Sequence, residues 1–318
     1  MKTVGAGFPL AQDPHRNFKE IDVSVQGTAL DYAAADALAP GLQELGEEAE
    51  ASPSSEPWID SNLWLLQSVR SRVASRPIWL MQTLPAQAAP ADYLRAIADA
   101  AAGGGRWVLA PGDELRHGLR MKDGEPMAAW RRVAAFLEFQ QAHAEWSGYP
   151  PLAVSGFVQD SAGTDPDVSG ANLRLAVRAR IPLRVIERSQ LSTASLDRLR
   201  AVHAIDIVQP TPPERQVLTE FADDGGLLVV GPTWQEVKIP EGQDFLVLPA
   251  GKGRVVVCRE GLDPAELARA LVDQLGRDNL GVRLFRAASV LGHASVGATG
   301  GDAIVHLAGM NRGDDQEL

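Results

Sequence analysis

From Pro150 to Pro232 the chain alternates short β-rich runs with segments of helical period, and this constrains its fold more than any other feature. The stretch opens with Leu152-Ala-Val-Ser-Gly-Phe-Val158 and closes with Gly225-Gly-Leu-Leu-Val-Val-Gly231. Leu183–Ile186 and Ala204–Val208 read as strands between them, and Pro212–Asp224 as a helix. Neighbouring parallel strands need a crossover, and the crossover is usually a helix. The alternation therefore predicts a parallel sheet wound by helices, an α/β architecture.

A chain of 318 residues has room for two domains. Its apolar share of 45% and charged share of 22% are those of a soluble globular protein. A net charge of −11 opposes docking on phosphate, so nucleic acid and anionic membrane surfaces are not expected partners. No apolar run is long enough to span a bilayer, and Met1–Gly5 does not open a secretory signal. A cytoplasmic protein is the expectation, or a secreted or periplasmic one if a signal has been removed. The lone Cys258 forbids an intrachain disulfide and reads as a buried strand residue.

Thr3–Pro9 and Lys19–Val25 read as strands, the second with Ile21, Val23 and Val25 on one face and Asp22 on the other. Asp22 is either a wet-side residue or a carboxylate in a cleft. From Glu20 to Val69 there are ten Asp or Glu residues and no Lys or Arg. This acidic stretch is a solvated face or the counterpart of the cluster Arg174, Arg178, Arg180, Arg184 and Arg188. Trp58-Ile-Asp-Ser-Asn-Leu-Trp64 then leads into a helix, with Asp60 or Ser61 as its N-cap. Trp58, Asn62 and Trp64 beside Asp60 also fit a sugar-binding lip, since aromatic faces pack on the apolar side of a pyranose.

Arg76–Met81 reads as a strand, Pro90–Ala102 as a helix stopped by Gly103-Gly-Gly105, and Arg106–Ala110 as the next strand. Pro111-Gly-Asp-Glu-Leu115 follows that strand, with His117 close by. Ligands bind at the C-terminal ends of parallel strands, so Asp113 and Glu114 are the best-placed carboxylates in the chain. A capped turn into Glu114–Gly118 is the plain alternative. Pro126–Ser147 reads as the longest helix, and Pro150-Pro151 as a domain boundary.

Nothing in the sequence asks for a cofactor or a metal. Asp160, Asp165 and Asp167 occupy the loop where a flavodoxin-like unit would seat a phosphate, and they would repel it. Asp165-x-Asp167-x-Ser169-Gly170 begins like a calcium loop, yet its twelfth position is Ala176 in place of a bidentate Glu. Further on, Phe245–Leu248 and Val255–Cys258 read as strands, Pro264–Leu275 as a helix, and Val282–Leu291 with Ala303–Leu307 as a hairpin around Gly297–Gly301.

Four segments carry a family resemblance: Arg180-Ile-Pro-Leu-Arg-Val-Ile186, Leu199–Val208, Leu218–Val230 and Gly251–Val257. With their order they resemble the class I glutamine-amidotransferase-like fold, in the form found in the trimerisation domain of some β-galactosidases. Gly301–Leu307 is similar to the small β domain that follows there. True amidotransferases use a nucleophilic Cys on a strand-to-helix elbow, which this chain lacks. The resemblance thus implies an assembly module and not a glutaminase. In that branch the module follows a (β/α) barrel, and the segment before Pro150 looks like a shortened one. A full barrel takes about 250 residues.

The expected organisation is a partial barrel-like domain over 1–149, an amidotransferase-like flavodoxin-type domain over 150–276, and a small β domain with its tail over 277–318. The leading expectation is a carbohydrate-enzyme-related protein, non-catalytic or degenerate, that forms homo-oligomers or joins a larger assembly and has carbohydrate as a possible ligand. One alternative is an active glycoside hydrolase, with Asp113 or Glu114 as acid and Asp22 or Asp60 as its partner. The other is a structural subunit of a larger complex.

Overall fold

The computed structural model describes residues 24–25, 28–29, 33–36, 41–42, 59–73, 77–81, 88–160, 172–177, 181–234, 237–262, 264–276, 290–297 and 301–310. The possible calcium loop and most of Thr3–Val25 lie outside them.

The N-terminal part holds a sheet of β3 (Ala33–Asp36), β6 (Ile78–Met81) and β7 (Arg106–Trp107), parallel and in that spatial order. Two short antiparallel pairs belong to the same part: β1 (Ser24–Val25) with β2 (Thr28–Ala29), and β4 (Gly41–Leu42) with β5 (Ile59–Asp60). Helix α1 (Leu63–Val73) precedes β6, and α2 (Pro90–Ala102) joins β6 to β7. Pro90 opens α2 because its missing N–H is not needed in a first turn, and Asp92 accepts from Ala89 N at 2.7 Å. Leu66, Ile78, Leu80, Tyr93, Ile97 and Val133 form the core beneath this sheet.

Glu114–Gly118 lies within a helix, α3 (Asp113–Met121), which Gly112 precedes as N-cap and Lys122 closes in the left-handed region at φ 60°. The long helix is shorter than the sequence suggests: α4 (Gly124–Ala142) ends at His143, where φ is −121°, and a 3-10 turn covers Ala144–Gly148. The His143 ring stacks on Trp146, with centroids 3.9 Å apart.

The second part is a six-stranded sheet of β8 (Ser155–Gln159), β9 (Leu183–Glu187), β10 (Ala201–Ala204), β11 (Leu227–Val230), β12 (Phe245–Ala250) and β13 (Gly253–Cys258). Its spatial order is β12-β13-β11-β10-β8-β9, with all neighbours parallel except β12 against β13. From the β9 edge the four strands β8 to β11 run 2-1-3-4, the doubly wound order of flavodoxin-like sheets.

Both faces are covered, and the strands alternate between two cores. Leu227 and Val229 face Phe157, Leu173, Leu267 and Leu271, against α5 (172–177) and α7 (Pro264–Leu275). Leu228 and Val230 face Val158, Ile186 and Leu218, against α6 (Pro212–Asp223).

Several strands differ from the sequence reading, β7 stopping at Trp107 short of the expected Ala110 and β8 beginning only at Ser155. The strand expected at Ala204–Val208 lies at Ala201–Ala204, and the chain then turns, with Ile207 N donating to Ala204 O at 3.3 Å. Alternation in Ala204–Val208 resembles a strand, but pairing with Ser155–Phe157 and Leu227–Val230 fixes where β10 runs. The final hairpin is β14 (Val290–Val296) with β15 (Ala303–Gly309), and residues 282–289 of the expected first strand lie outside the described residues. Its position follows from burial: Leu291, Ala308 and Met310 pack on Leu63 and Ala102.

Candidate functional site

In wound parallel sheets the strand ends and following loops position the chemistry. In the N-terminal part, Val108 N donates to Leu80 O at 2.9 Å and Gly112 N to the Tyr93 hydroxyl at 2.8 Å. These bonds deliver the chain from β7 into the first turn of α3, where Asp113 and Glu114 complement the positive end of the helix. Asp113 pairs with Arg116 one turn on, and its side chain is 91% exposed. Glu114 and His117 are exposed on the same helix.

Asn62 and Trp64 belong to a different environment. Asn62 is wholly buried, and both its backbone N and its Nδ2 donate to Asp99 Oδ2 at 2.8 Å. Ser61 Oγ donates to Asp99 Oδ1 at 2.6 Å and accepts from Leu63 N at 3.1 Å. Asp99, from the last turn of α2, thus receives the open amide end of α1. Trp64 packs against the core of the six-stranded sheet. The side chains of Asp22, Trp58 and Asp60 lie outside the described residues, Asp60 being seen only as the backbone end of β5. The structure therefore groups Asp113, Glu114 and His117 on α3, and Asn62 and Trp64 at the start of α1.

At the C-terminal ends of β8 and β9, Arg188 holds two carboxylates. It donates to Asp160 Oδ2 at 2.7 Å, to Glu214 Oε1 at 2.8 Å, to Glu214 Oε2 at 2.9 Å and to Gln209 O at 2.9 Å. The bond to Arg188 pulls the Glu214 carboxyl down to about 2, with Thr211 N also donating to it at 2.7 Å. Two carboxylates occupy this guanidinium, so the triad ties β8, β9 and α6 together and leaves little to receive an external anion. Thr211-Pro-Pro-Glu214, a capping-box pattern, was the sequence signal for Glu214; Asp99 had only its place among Ala96, Ile97 and Ala100.

Deeper in the sheet, Ser155 Oγ and His203 Nε2 are hydrogen bonded across adjacent strands. His203 is wholly buried, and burial pushes its imidazole down to about 4. Cys258, at the end of β13, is buried as expected, and burial pushes its thiol up to about 12. Such a thiol is a packing group and a poor nucleophile. Among the described residues no three His, Cys, Asp or Glu side chains gather as a metal site, and no helix is long and apolar enough to cross a membrane.

An open cavity of about 720 Å³ lies at the opposite end of the sheet, where β10, β11 and β13 begin. Leu199, Phe221 and Leu227 contribute apolar lining, with Arg198, Arg200 and Lys252 beside them. None of Asp113, Glu114 and His117 lines it.

No protein-family model matches the sequence, and no curated protein matches it. Solved structures do match in fold. A β-galactosidase from Bacillus circulans sp. alkalophilus superposes with a TM-score of 0.56 at 11% identity, over 74% of this chain and 50% of that one. A catalytic mutant of a GH42 β-galactosidase from G. stearothermophilus gives 0.50 at 13% identity, over 75% and 50%. The α-L-fucosidase isoenzyme 2 of Paenibacillus thiaminolyticus gives 0.50 at 11%, over 75% and 51%. The chain shares the fold of part of these glycoside hydrolases and spans about half their length.

Proposed function

We propose that this chain is a carbohydrate-enzyme-related protein that does not hydrolyse glycosides, in which a partial barrel is joined to an amidotransferase-like module serving assembly. The observation that carries the reading is the setting of Asp113. A glycosidase acid keeps its proton through burial or a neighbouring carboxylate, and the two catalytic carboxyls flank the scissile bond. Asp113 is 91% exposed and its partner is the Arg116 guanidinium. The doubly wound order of β8 to β11 and the fold likeness to β-galactosidases support the assignment of the second part.

The competing reading, an active glycosidase using Asp113 or Glu114 with Asp22 or Asp60, is favoured by one observation: α3 begins just after β7. Chromogenic galactosides and fucosides distinguish the two. The proposal expects no turnover by the purified chain, and an Asp113→Asn variant changed at most slightly in stability. Turnover by the wild type that Asp113→Asn abolishes would establish the glycosidase instead. A thermal-shift series with mono- and oligosaccharides asks separately whether sugar still binds, because a ligand of the folded state raises its midpoint.

A further inference from the structure

The hairpin of β14 and β15 runs in register from Val290↔Gly309 to Val296↔Ala303. Paired residues share a face, so one face carries Val290, Gly292, Ala294, Val296, Ala303, Val305, Leu307 and Gly309. It has no polar side chain, and Val305 and Leu307 are 48% and 61% exposed. The other face is the one packed on Leu63 and Ala102.

The hydrogen bonds show which edge is open among the described residues. Leu152 N donates to Ala294 O at 2.8 Å, and Val296 N donates to Pro150 O at 3.0 Å. In an antiparallel strand the N–H and C=O of one residue point the same way, and residues alternate. Ala294 and Val296 therefore point away from β15, and their register partners Val305 and Ala303 point away from β14. By the same alternation Leu307 and Gly309 also point outward. Residues 150–152 cover the β14 edge. Among the described residues no hydrogen bond reaches the outward groups on β15. Ala303–Gly309 contains no Pro, Lys or acidic residue, the usual means of blocking an edge.

We propose that β15 is a dimerisation edge that receives β15 of a second copy, antiparallel about a two-fold axis at His306. The strand is complementary to itself in that arrangement. The outward backbone groups of Val305 meet those of Leu307 of the second copy, and those of Ala303 meet Gly309. Val305 and Leu307 then become apolar cross-strand neighbours, a stabilising pair. Each copy carries a net charge of −11, yet β15 has no Asp, Glu, Lys or Arg to oppose its twin, and burial lowers the pKa of His306, its one titratable side chain, which sits on the axis. Pairing turns a two-stranded ribbon, marginal by itself, into a four-stranded sheet. An isologous contact of this kind closes on itself and does not propagate.

Sedimentation equilibrium of the full chain at increasing concentration tests this. Val305→Pro removes an outward N–H and leaves the β14–β15 bonds intact, and Leu307→Lys places a charge at the pairing site. A concentration-dependent dimer is expected, with each variant weakening it at least ~tenfold. A wild-type chain that stays monomeric, or an assembly indifferent to both variants, overturns the proposal. If Val305→Pro fails to fold, amide exchange of the wild type decides. The amides of Ala303, Val305, Leu307 and Gly309 must slow as concentration rises, and their failure to do so counts against the edge. None of these outcomes depends on whether the chain binds or cleaves sugar.

Discussion

Arg188 grips Glu214 through two parallel hydrogen bonds, Nε to Oε1 at 2.8 Å and Nη2 to Oε2 at 2.9 Å. The fork geometry of a guanidinium matches a carboxylate, so the pair fixes orientation as well as charge. It joins the end of β9 to the first turn of α6, and Asp160 extends it to β8.

The pair predicts a dependence on acid. Glu214 titrates near 4.5 when unfolded and near 2 in the fold. A depressed carboxyl contributes stability above its unfolded value and loses it as pH falls toward the folded one. After allowance for solvent at the sheet end, the contribution is about 1 to 2 kcal/mol. Glu214→Gln should lose that amount at neutral pH. Urea titrations should also show its stability changing less than that of the wild type between pH 4.5 and 2. Parallel curves would mean that the pair contributes nothing.

Asp99 carries a second prediction. It accepts from Ser61 Oγ, Asn62 N and Asn62 Nδ2 inside the N-terminal part. Asp99→Ala strands these buried donors and removes a carboxylate from the positive end of α1, at a cost of about 3 to 5 kcal/mol. Asp99→Asn keeps one acceptor oxygen and should cost roughly half as much. Equal losses in the two variants, measured by urea unfolding at pH 7, would show that packing outweighs the hydrogen bonds.

These two clusters also mark the limit of what the sequence tells. Helices α2, α6 and α7 are legible because Pro90, Pro212 and Pro264 stand at their first positions. Leu227–Val230 is legible because it is short, apolar and bounded by glycines. Asp160, Arg188 and Glu214 lie far apart in sequence and meet only because the strand order brings their elements to one sheet end. The polar atoms of Asn62, legible as a sugar contact beside Trp58, are directed to Asp99 on another helix. Local pattern carries no information about that long-range partner.

Gly253 gives a third prediction. A methyl group there would overlap the carbonyl oxygens of Gly226 and Ala222, both backbone atoms that cannot swing aside. Nearby, Lys252 N donates to Asp223 O at 2.8 Å, holding the β12–β13 turn against the end of α6. Gly253→Ala should therefore cost about 1 to 3 kcal/mol. Gly124→Ala, with open space around it, is the control and should change little. Comparable denaturation midpoints for the two variants would refute the close approach.

The last prediction separates His203 from the carboxylates by its pH window. His203 titrates near 6.5 unfolded and near 4 in the fold, because burial disfavours the imidazolium. The unfolded chain takes up this proton more readily, so the stabilising effect is complete above about pH 6.5 and is lost as pH falls to 4. The loss over that interval is about 2 to 3 kcal/mol. His203→Phe should remove the slope but leave the Ser155 hydroxyl buried without its imidazole, costing about 1 to 2 kcal/mol at pH 7. Adding Ser155→Ala should recover most of that cost, because neither partner then remains to be satisfied. Urea titrations of the three proteins at pH 7, 6, 5 and 4 test both statements. A slope that survives His203→Phe would assign the acid sensitivity to other groups.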